Sequence, residues 1–539
     1  MTKNGLLFLF LLLFFLSCRG LQDMQKAENQ FENTFTHPVE LSVRDQFSRS
    51  KYGNYQLKVS GNPFEIGYKT GFLTDSLFNH QEKIFFDQVK EMTGTPKKQK
   101  FLLSFLKWYN RDLIHYIPDY YQKEIYGISQ FNASALDSIA TPFQRSLMLH
   151  GAHDIGHAMQ DLMLVGCSSV ALKDTFTKDG SLWIARNFDF YISEAFAENK
   201  IIAFVEPSDG YNYVSITWPG MLGVVSGMNE KGLTVTINAG KSSIPLKAKQ
   251  PISLVAKEIL QFASNHEEAI AIAHKKEVFV SEALLIGSSF DNSAIIIEMS
   301  PKKMDVYRTA EDILVCTNHF QSDAFENDKK NVKHRAESHS QYRYETIEKF
   351  VQNQDVVDEQ VLVELLRKTT GIHDEPIGYG NEKSLNQLRA HHGVIFHPQT
   401  LRMWVSNAPY QLGAFDMYDL NEVFLENTIS PISTGVIRED TLIKTNEFKN
   451  LQRYRSQLKE VINKINTKEI IPLSTGQQLV KYNPSFWEAH YWAGRIAYKA
   501  GAYEDAYKYF SQANGLEITT LNDEKTVKKW LKISRKRMK

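Results

Sequence analysis

The pattern of apolar residues changes at Cys167, and this change constrains the fold more than any other feature. Before it, apolar residues recur at three- and four-residue spacing, as in DSLFNHQEKIFFDQVKEM, which predicts amphipathic helices. After it, short β-rich runs such as CSSVAL, SLWIARNFDF and GLTVTINAG alternate with glycine, proline and Lys-Asp-Gly turns. Helices follow these runs, and further strands follow the helices. This order predicts an α+β fold in which helices cover sheets, and it argues against a βαβ repeat.

Composition and periodicity divide the chain into five parts. Hydrophobic residues make up 42% of the 539 residues and aromatic residues 12%, which is enough for a large packed core. Lys+Arg and Asp+Glu balance at 62 each, and no basic stripe with interleaved aromatics is present, so nucleic acid is not expected as a partner. The expected parts are a signal peptide at 1–18, a tether at 19–50, a helical first segment at 51–166, a sheet-forming core at 167–435 and a helical region at 440–539.

The N-terminal sequence places Cys18 directly behind a short apolar run. The run from Leu6 to Leu16 follows one lysine and is shorter than the ~20 apolar residues that span a bilayer. It resembles the bacterial lipoprotein signal, in which the cysteine becomes the lipid-bearing first residue. This resemblance implies export and a lipid anchor to a bacterial cell-envelope membrane, at the outer membrane or the periplasmic face. An ordinary cleaved signal with an incidental cysteine is the alternative.

The two remaining cysteines, Cys167 and Cys316, make no disulfide framework. We expect Cys316 to be a small buried hydrophobic residue, whereas the position of Cys167 suits a nucleophile. A thiol must become a thiolate to react, and its free pKa is ~8.5. A hairpin through the Lys-Asp-Gly turn would bring Arg186 and Asp189 back beside Cys167. These two residues could also form a structural ion pair.

The α-amine of Cys167 can serve as the base if the chain is cut between Gly166 and Cys167. An α-amino group has a pKa of ~8, so it can accept the thiol proton near neutral pH. The chain can make this cut itself when the thiol attacks the preceding carbonyl and water hydrolyses the resulting thioester. Gly166 has no side chain to obstruct that attack.

Four motifs in order carry a resemblance to a known family. The stretches GCSSVALKDTFTKDGSLWIARNFDF, GMNEKGLTVTINAG, VCTNHF and HHGVIFHPQTLRMWVSN resemble successive motifs of the isopenicillin-N acyltransferase family of N-terminal nucleophile hydrolases. Choloylglycine hydrolases, acid ceramidase and N-acylethanolamine amidase are related in pattern. The resemblance covers about residues 167–409. It implies a four-layer αββα sandwich, cleavage just before the cysteine, and attack on an amide-like acyl carbonyl.

The same resemblance implies roles for six residues. Cys167 would be the nucleophile and its amine the base, Asp189 would hold that amine, and Arg186 would lower the thiol pKa. Asn238 and Asn318 would donate hydrogen bonds to the oxyanion. Arg343 would be a further site residue, because it resembles an arginine of the choloylglycine enzymes. For the two asparagines, a plain turn role is the alternative.

A metal site is not expected, and neither is a cofactor. His153 and His157 lie one helical turn apart and His150 lies close by, but no HExxH pattern or third-ligand motif accompanies them. We expect these histidines to be satisfied within the helix. We likewise expect His391 and His392 to be structural or to line the pocket.

The C-terminal stretch SFWEAHYWAGRIAYKAGAYEDAYKYFSQANGLE resembles a tetratricopeptide unit, with Ala506 and Phe510 in its A-x3-F feature. One unit is fewer than the ~3 that a free-standing stack needs. We therefore expect a helical cap that packs on its neighbours. A module that binds a protein partner is the alternative.

Two functions from different classes follow from these features. The first is an autoproteolytically activated cysteine amidohydrolase or acyltransferase that acts on a small N-acyl amide substrate through a thioester. Hydrolysis is favoured over transfer because an exported protein has no ready supply of acyl-CoA. The second is a surface lipoprotein that has an inactive hydrolase fold and binds a protein partner through its tetratricopeptide-like helices.

Overall fold

The computed structural model describes residues 20, 22–93, 95–137, 139–158, 166–189, 194–242, 248–426 and 429–538. The predicted signal peptide and its lipidation site, Cys18, lie outside these residues, so both stay predictions. Along the described ranges, no helix is both long enough and apolar enough to cross a bilayer.

Before Cys167, the described residues form five α-helices and two strands. They are α1 (22–34), β1 (Gln46–Arg49), β2 (Tyr55–Gly61), α2 (Pro63–Thr93), α3 (Pro96–Asn110), α4 (Asp119–Ser129) and α5 (Pro142–Ala158). The sequence pattern predicts a tether to residue 50 and helix from residue 51, so α1 and the two strands differ from it. Residues Asn62 and Glu65 set the start of α2, because each side chain accepts a hydrogen bond from the other's backbone N–H, at 3.1 and 2.9 Å.

Helices α2 and α4 pack closely because glycines line their contact. A Cβ added to Gly67 would lie 1.8 Å from the carbonyl oxygen of Glu124. A Cβ added to Gly127 would lie 2.4 Å from the carbonyl oxygen of Phe64. Side chains at these two positions would therefore force the helices apart.

A nine-stranded sheet takes in strands from both sides of Cys167. Its order is β1-β2-β5-β6-β7-β8-β9-β10-β11. The later strands are β5 (Ile201–Pro207), β6 (Tyr213–Thr217), β7 (Ser226–Asn229), β8 (Leu233–Ala239), β9 (Glu282–Ser288), β10 (Ser293–Met299) and β11 (Met304–Tyr307). Strand β2 pairs in parallel with β5, from Tyr55 opposite Ile201 to Gly61 opposite Pro207. The first segment thus supplies two strands at one edge of this sheet.

A six-stranded antiparallel sheet carries the segment that begins at Cys167. Its order is β12-β3-β4-β13-β14-β15. The strands are β3 (Ser168–Asp174), β4 (Gly180–Phe188), β12 (Ile313–Cys316), β13 (His392–His397), β14 (Arg402–Ser406) and β15 (Phe415–Asp419).

The two sheets pack face to face, with helices outside each. Their shared core includes Ile184 and Val394 from the six-stranded sheet and Phe204 and Leu285 from the nine-stranded sheet, all buried. Helices α7 (Ile252–Phe262) and α8 (His266–His274), with α2 and α4, cover the outer face of the larger sheet. Helices α11 (Ser340–Gln352) and α12 (Glu359–Arg367) cover the smaller sheet. The predicted four-layer αββα sandwich is confirmed. Short helices α6 (Glu194–Glu198), α9 (Asp323–Glu326), α10 (Lys329–Glu337) and α13 (Leu420–Leu425) complete this region.

A helical region follows the sandwich, as predicted. It comprises α14 (Asn446–Asn466), α15 (Leu473–Tyr482), α16 (Trp487–Lys499), α17 (Tyr503–Asn514) and α18 (Leu521–Arg537). Ala506 and Phe510 are buried in its core. Gly494 lets α16 approach α17, since a Cβ there would lie 2.7 Å from the Phe510 ring. The likeness to a tetratricopeptide unit stays a prediction.

Candidate active site

The hairpin predicted around Cys167 is present. Strands β3 and β4 pair antiparallel, with Ser169 opposite Arg186 and Ser168 opposite Asn187. Gly180 has the positive φ of 72° that the turn requires and that glycine adopts at no steric cost. The hairpin returns the chain to Cys167, which immediately precedes β3.

The thiol of Cys167 is buried and lies against a buried arginine. Arg186 directs Nη2 at the thiol sulfur, 3.7 Å away. Its guanidinium also donates to the carbonyl oxygens of Val225, at 2.6 Å, and Ile237, and to the hydroxyl of Ser226. Because Ser226 and Ile237 belong to β7 and β8, Arg186 reaches from one sheet to the other.

Burial dominates the ionisation of this thiol. Loss of water raises the pKa of Cys167 above its ordinary value, and the positive charge of Arg186 opposes that rise. The negative charge of Asp189 raises the pKa further. The predicted lowering by Arg186 is therefore present as a contribution but is outweighed by burial. In the continuous chain the thiol is protonated at neutral pH.

Asp189 presents a buried carboxylate near Cys167. Neither carboxylate oxygen has a hydrogen-bond partner among the described residues. Burial raises the pKa of Asp189 to about 7, although the charges of Arg343 and Arg186 act against this. The backbone N–H of Gly166 donates to the carbonyl oxygen of Asp189 at 3.0 Å, which holds this residue beside the Gly166–Cys167 bond.

Asn238 and Asn318 both lie close to the nucleophile strand. The amide of Asn238 donates to the carbonyl oxygen of Cys316 at 2.7 Å and accepts from the Ser169 hydroxyl at 2.9 Å. The amide of Asn318 donates to the carbonyl oxygen of Ala239 at 3.0 Å. Each amide nitrogen carries two N–H groups, so each retains a second donor for an oxyanion.

Arg343, which resembles an arginine of the choloylglycine enzymes, lies close to Cys167. From α11 its guanidinium donates to the carbonyl oxygen of Cys167, to the Ser168 hydroxyl at 2.7 Å and to Asn318 Oδ1 at 2.6 Å. Nε lies 3.2 Å from Nδ1 of His339, whose pKa burial lowers well below its usual value. This neutral imidazole can accept the hydrogen bond.

Gln387 is a site residue that the sequence pattern does not single out. Its side-chain amide donates to the carbonyl oxygen of Gly166 at 3.1 Å, and it is buried. The two residues are 221 positions apart and belong to no common motif, so no local signal could have paired them.

The histidines occupy separate places. His150 is satisfied, as expected: Nδ1 lies 2.7 Å from the Ser146 carbonyl oxygen, and Nε2 accepts from the Leu222 N–H at 3.0 Å. Buried His391 and His392 contact each other through their Nδ1 atoms at 2.8 Å. Among the described residues, no group of three or more His, Cys, Asp or Glu could hold a metal ion; the side chains of His153 and His157 lie outside this description.

An apolar cleft lies between the helices of the first segment and the nine-stranded sheet. Its walls include Ile66, Ala203, Trp218 and Met221. The Trp218 ring lies parallel to that of Phe188, with centroids 6.4 Å apart. The Arg186 guanidinium lies 4.4 Å from the centre of the Phe188 ring. A chain of contacts therefore joins the cleft to the nucleophile.

Part of the chain matches a known protein family. Residues 175–405 match the family described as acyl-coenzyme A:6-aminopenicillanic acid acyl-transferase. The match confirms, over this segment, the resemblance to isopenicillin-N acyltransferases drawn from the motifs. The matched segment covers less than half of the chain. It includes Arg186, Asp189, Asn238, Asn318 and Arg343, and begins after Cys167.

Individual relatives are distant. An uncharacterised protein of Archaeoglobus fulgidus is 24% identical over 272 residues, which cover 47% of this chain and 45% of that protein. This chain spans about half the length of the curated relatives it matches. The Caenorhabditis elegans orthologue of N-acylethanolamine-hydrolyzing acid amidase aligns with a TM-score of 0.33 at 17% identity, over 43% of this chain and 93% of that one. A mutant of conjugated bile acid hydrolase from Clostridium perfringens aligns with a TM-score of 0.32 at 14% identity, over 48% and 93%.

Proposed function

We propose that this protein is an amidohydrolase that cuts its own chain between Gly166 and Cys167 and then uses Cys167 to attack N-acyl amides. The observation that carries the proposal is the buried carboxylate of Asp189, which lacks a partner among the described residues beside the bond to be cut. Burying an unpaired carboxylate is costly. Cleavage would turn the backbone nitrogen of Cys167 into an α-amine, which becomes an ammonium group that this carboxylate can hold when it takes a proton.

Cleavage would also change the thiol. In the continuous chain the thiol is buried and protonated, with a backbone amide in place of an amine. The released α-amine has a pKa of ~8 and can take the thiol proton, as a general base must. Arg186, already beside the sulfur, would stabilise the resulting thiolate. The cut therefore switches on the nucleophile.

Substrate turnover would follow the same chemistry. The thiolate attacks the acyl carbonyl, the amine leaves with a proton, and the acyl group remains on Cys167 as a thioester. The second N–H of Asn238 or Asn318 would donate to the oxyanion, and loss of one such donor commonly costs ~10²–10³ in rate. Water then hydrolyses the thioester.

Intact-mass analysis with N-terminal sequencing tests this function. Wild-type protein should appear as two pieces, the second beginning at Cys167, and should release the amine from N-acyl amides. Cys167→Ser should remove amidase activity, and Cys167→Ala should stay whole and inactive. Cys316→Ala, the matched change at the other buried cysteine, should cleave and turn over as wild type does. A whole wild-type chain would instead support the binding-lipoprotein alternative.

We also propose that Cys18 carries a lipid that holds the protein at the cell envelope. The support is the sequence of residues 1–18 alone. Cys18→Ala should move the protein from the membrane fraction to the soluble fraction of expressing cells. An unchanged distribution would contradict the anchor.

A further inference from the structure

The carbonyl of Gly166, which would be attacked during self-cleavage, has one side-chain donor among the described residues. Gln387 Nε2 lies 3.1 Å from its oxygen. A Cβ at residue 166 would lie 2.2 Å from the same nitrogen. The glycine therefore permits the close approach of the donor as well as access for the thiol.

Two carbonyls fix the orientation of the Gln387 amide. Nε2 donates to Gly166 and also to the carbonyl oxygen of Glu382, at 3.3 Å. Carbonyl oxygens only accept hydrogen bonds, so the NH₂ group and not the oxygen must face both. The side chain is 4% exposed, and its hydrogen bonds are therefore little weakened by competing water.

The C-terminal helices hold the loop that carries Gln387. Arg455 of α14 donates to the carbonyl oxygen of Leu388 at 2.7 Å, and Leu388 has a left-handed φ of 53°. At the other end of the loop, Asn381 donates to the Glu517 carbonyl oxygen at 2.9 Å and accepts from Thr519 at 3.1 Å. A strained residue of this kind persists only where its surroundings determine it.

We propose that Gln387 is a catalytic residue of self-cleavage, donating to the oxyanion that forms on Gly166. This inference rests on the cleavage proposed above. The Cys167 sulfur bonds to the Gly166 carbonyl carbon, and the carbonyl electron pair moves onto the oxygen that Gln387 faces. When the oxyanion collapses, the carbon–nitrogen bond breaks and the leaving nitrogen takes up the proton that the thiol lost. Water then cleaves the thioester, giving a Gly166 carboxyl group and restoring the thiol.

Cleavage of freshly translated chains, followed by intact mass over time, tests this role. Gln387→Leu should slow cleavage by ~10²–10³, the usual effect of losing one oxyanion donor. Gln411→Leu is the matched control, because Gln411 is also buried but its side-chain amide has no partner among the described residues. It should cleave at the wild-type rate. Circular dichroism and thermal unfolding check that each variant folds.

A second variant separates chemistry from folding. Gln387→Glu keeps the side-chain length, and its carboxyl group regains a donor only when protonated. Its cleavage rate relative to wild type should rise as pH falls, which a merely structural role would not produce. A ratio of the Gln387→Glu and wild-type cleavage rates that does not change with pH would overturn the role of Gln387. So would a Gln387→Leu variant that cleaves within about threefold of the wild-type rate. Neither result would overturn the cleavage proposal itself. A wild-type chain that stays whole would overturn the cleavage proposal and this role with it.

Discussion

At the scale of single residues, the uncut fold opposes the ionisation of Asp189. Its folded-state pKa is about 7, whereas an unburied aspartate titrates near 3.8. Between these values the folded chain keeps a proton that the unfolded chain has lost. The contribution of Asp189 to the stability of the uncut chain therefore falls as pH rises from about 4 to about 7, and the cost persists above that range.

The corresponding prediction uses the uncut Cys167→Ala chain. Adding Asp189→Asn should raise its melting temperature at pH 8, because the neutral amide carries no charge to bury. The gain should shrink on acidification and vanish below about pH 3, where Asp189 is protonated in both states. Thermal unfolding of the two chains from pH 3 to pH 8 measures this. A gap independent of pH would contradict the assigned pKa.

Much of the site at this scale could be predicted from the sequence, because the residues recur at family spacings or follow from a hairpin. Arg186 is placed beside Cys167 by the local Lys-Asp-Gly turn, which depends on few residues. Gln387 could not be predicted, since its contact with Gly166 depends on how distant loops pack. The dominance of burial over the Arg186 charge at the thiol also required the packed structure.

At the scale of elements, the loop between α12 and β13 connects the C-terminal helices to the bond to be cut. Arg455→Ala should loosen this loop and slow self-cleavage several-fold, because it removes the donor to the Leu388 carbonyl. Arg453→Ala is the matched control: Arg453 lies on the same helix, is exposed, and donates only to Asn450 among the described residues. Cleavage time courses compare the two variants. Equal cleavage rates in the two variants would show that the loop keeps its conformation without the hydrogen bond from Arg455.

The sequence predicts most of the helices but not the first two strands. The amphipathic period predicted α2 to α4 and the final helices, since each buries one face. Strands β1 and β2 were missed, and the parallel partner of β2, strand β5, lies beyond Cys167 in the chain. A strand whose partner is that distant gives no hairpin signal, so only assembly of the sheet reveals it.

At the scale of the whole molecule, the first segment is built into the sandwich and does not merely cover it. Strand β2 is hydrogen-bonded to β5 along seven residue pairs, and α4 is joined to α7 by the buried ion pair of Glu124 and Lys257. After cleavage these contacts would join two chains. The pieces should therefore elute together on native size-exclusion chromatography and separate in denaturant. Separation without denaturant would contradict this arrangement.

The ion pair between Glu124 and Lys257 allows a direct test of how the two pieces are held together. Burial raises the pKa of Glu124 and lowers that of Lys257, so each group depends on the other for its charge. Glu124→Ala should cost about 3–5 kcal/mol of unfolding free energy, because it leaves Lys257 unpaired in an apolar setting. Replacing both residues, Glu124→Leu with Lys257→Met, should recover most of the loss, since apolar side chains need no partner. Urea unfolding of the three proteins, with the dissociation of the two pieces followed in parallel, measures both effects. If the double variant were as unstable as Glu124→Ala, the loss would come from packing and not from the unpaired charge.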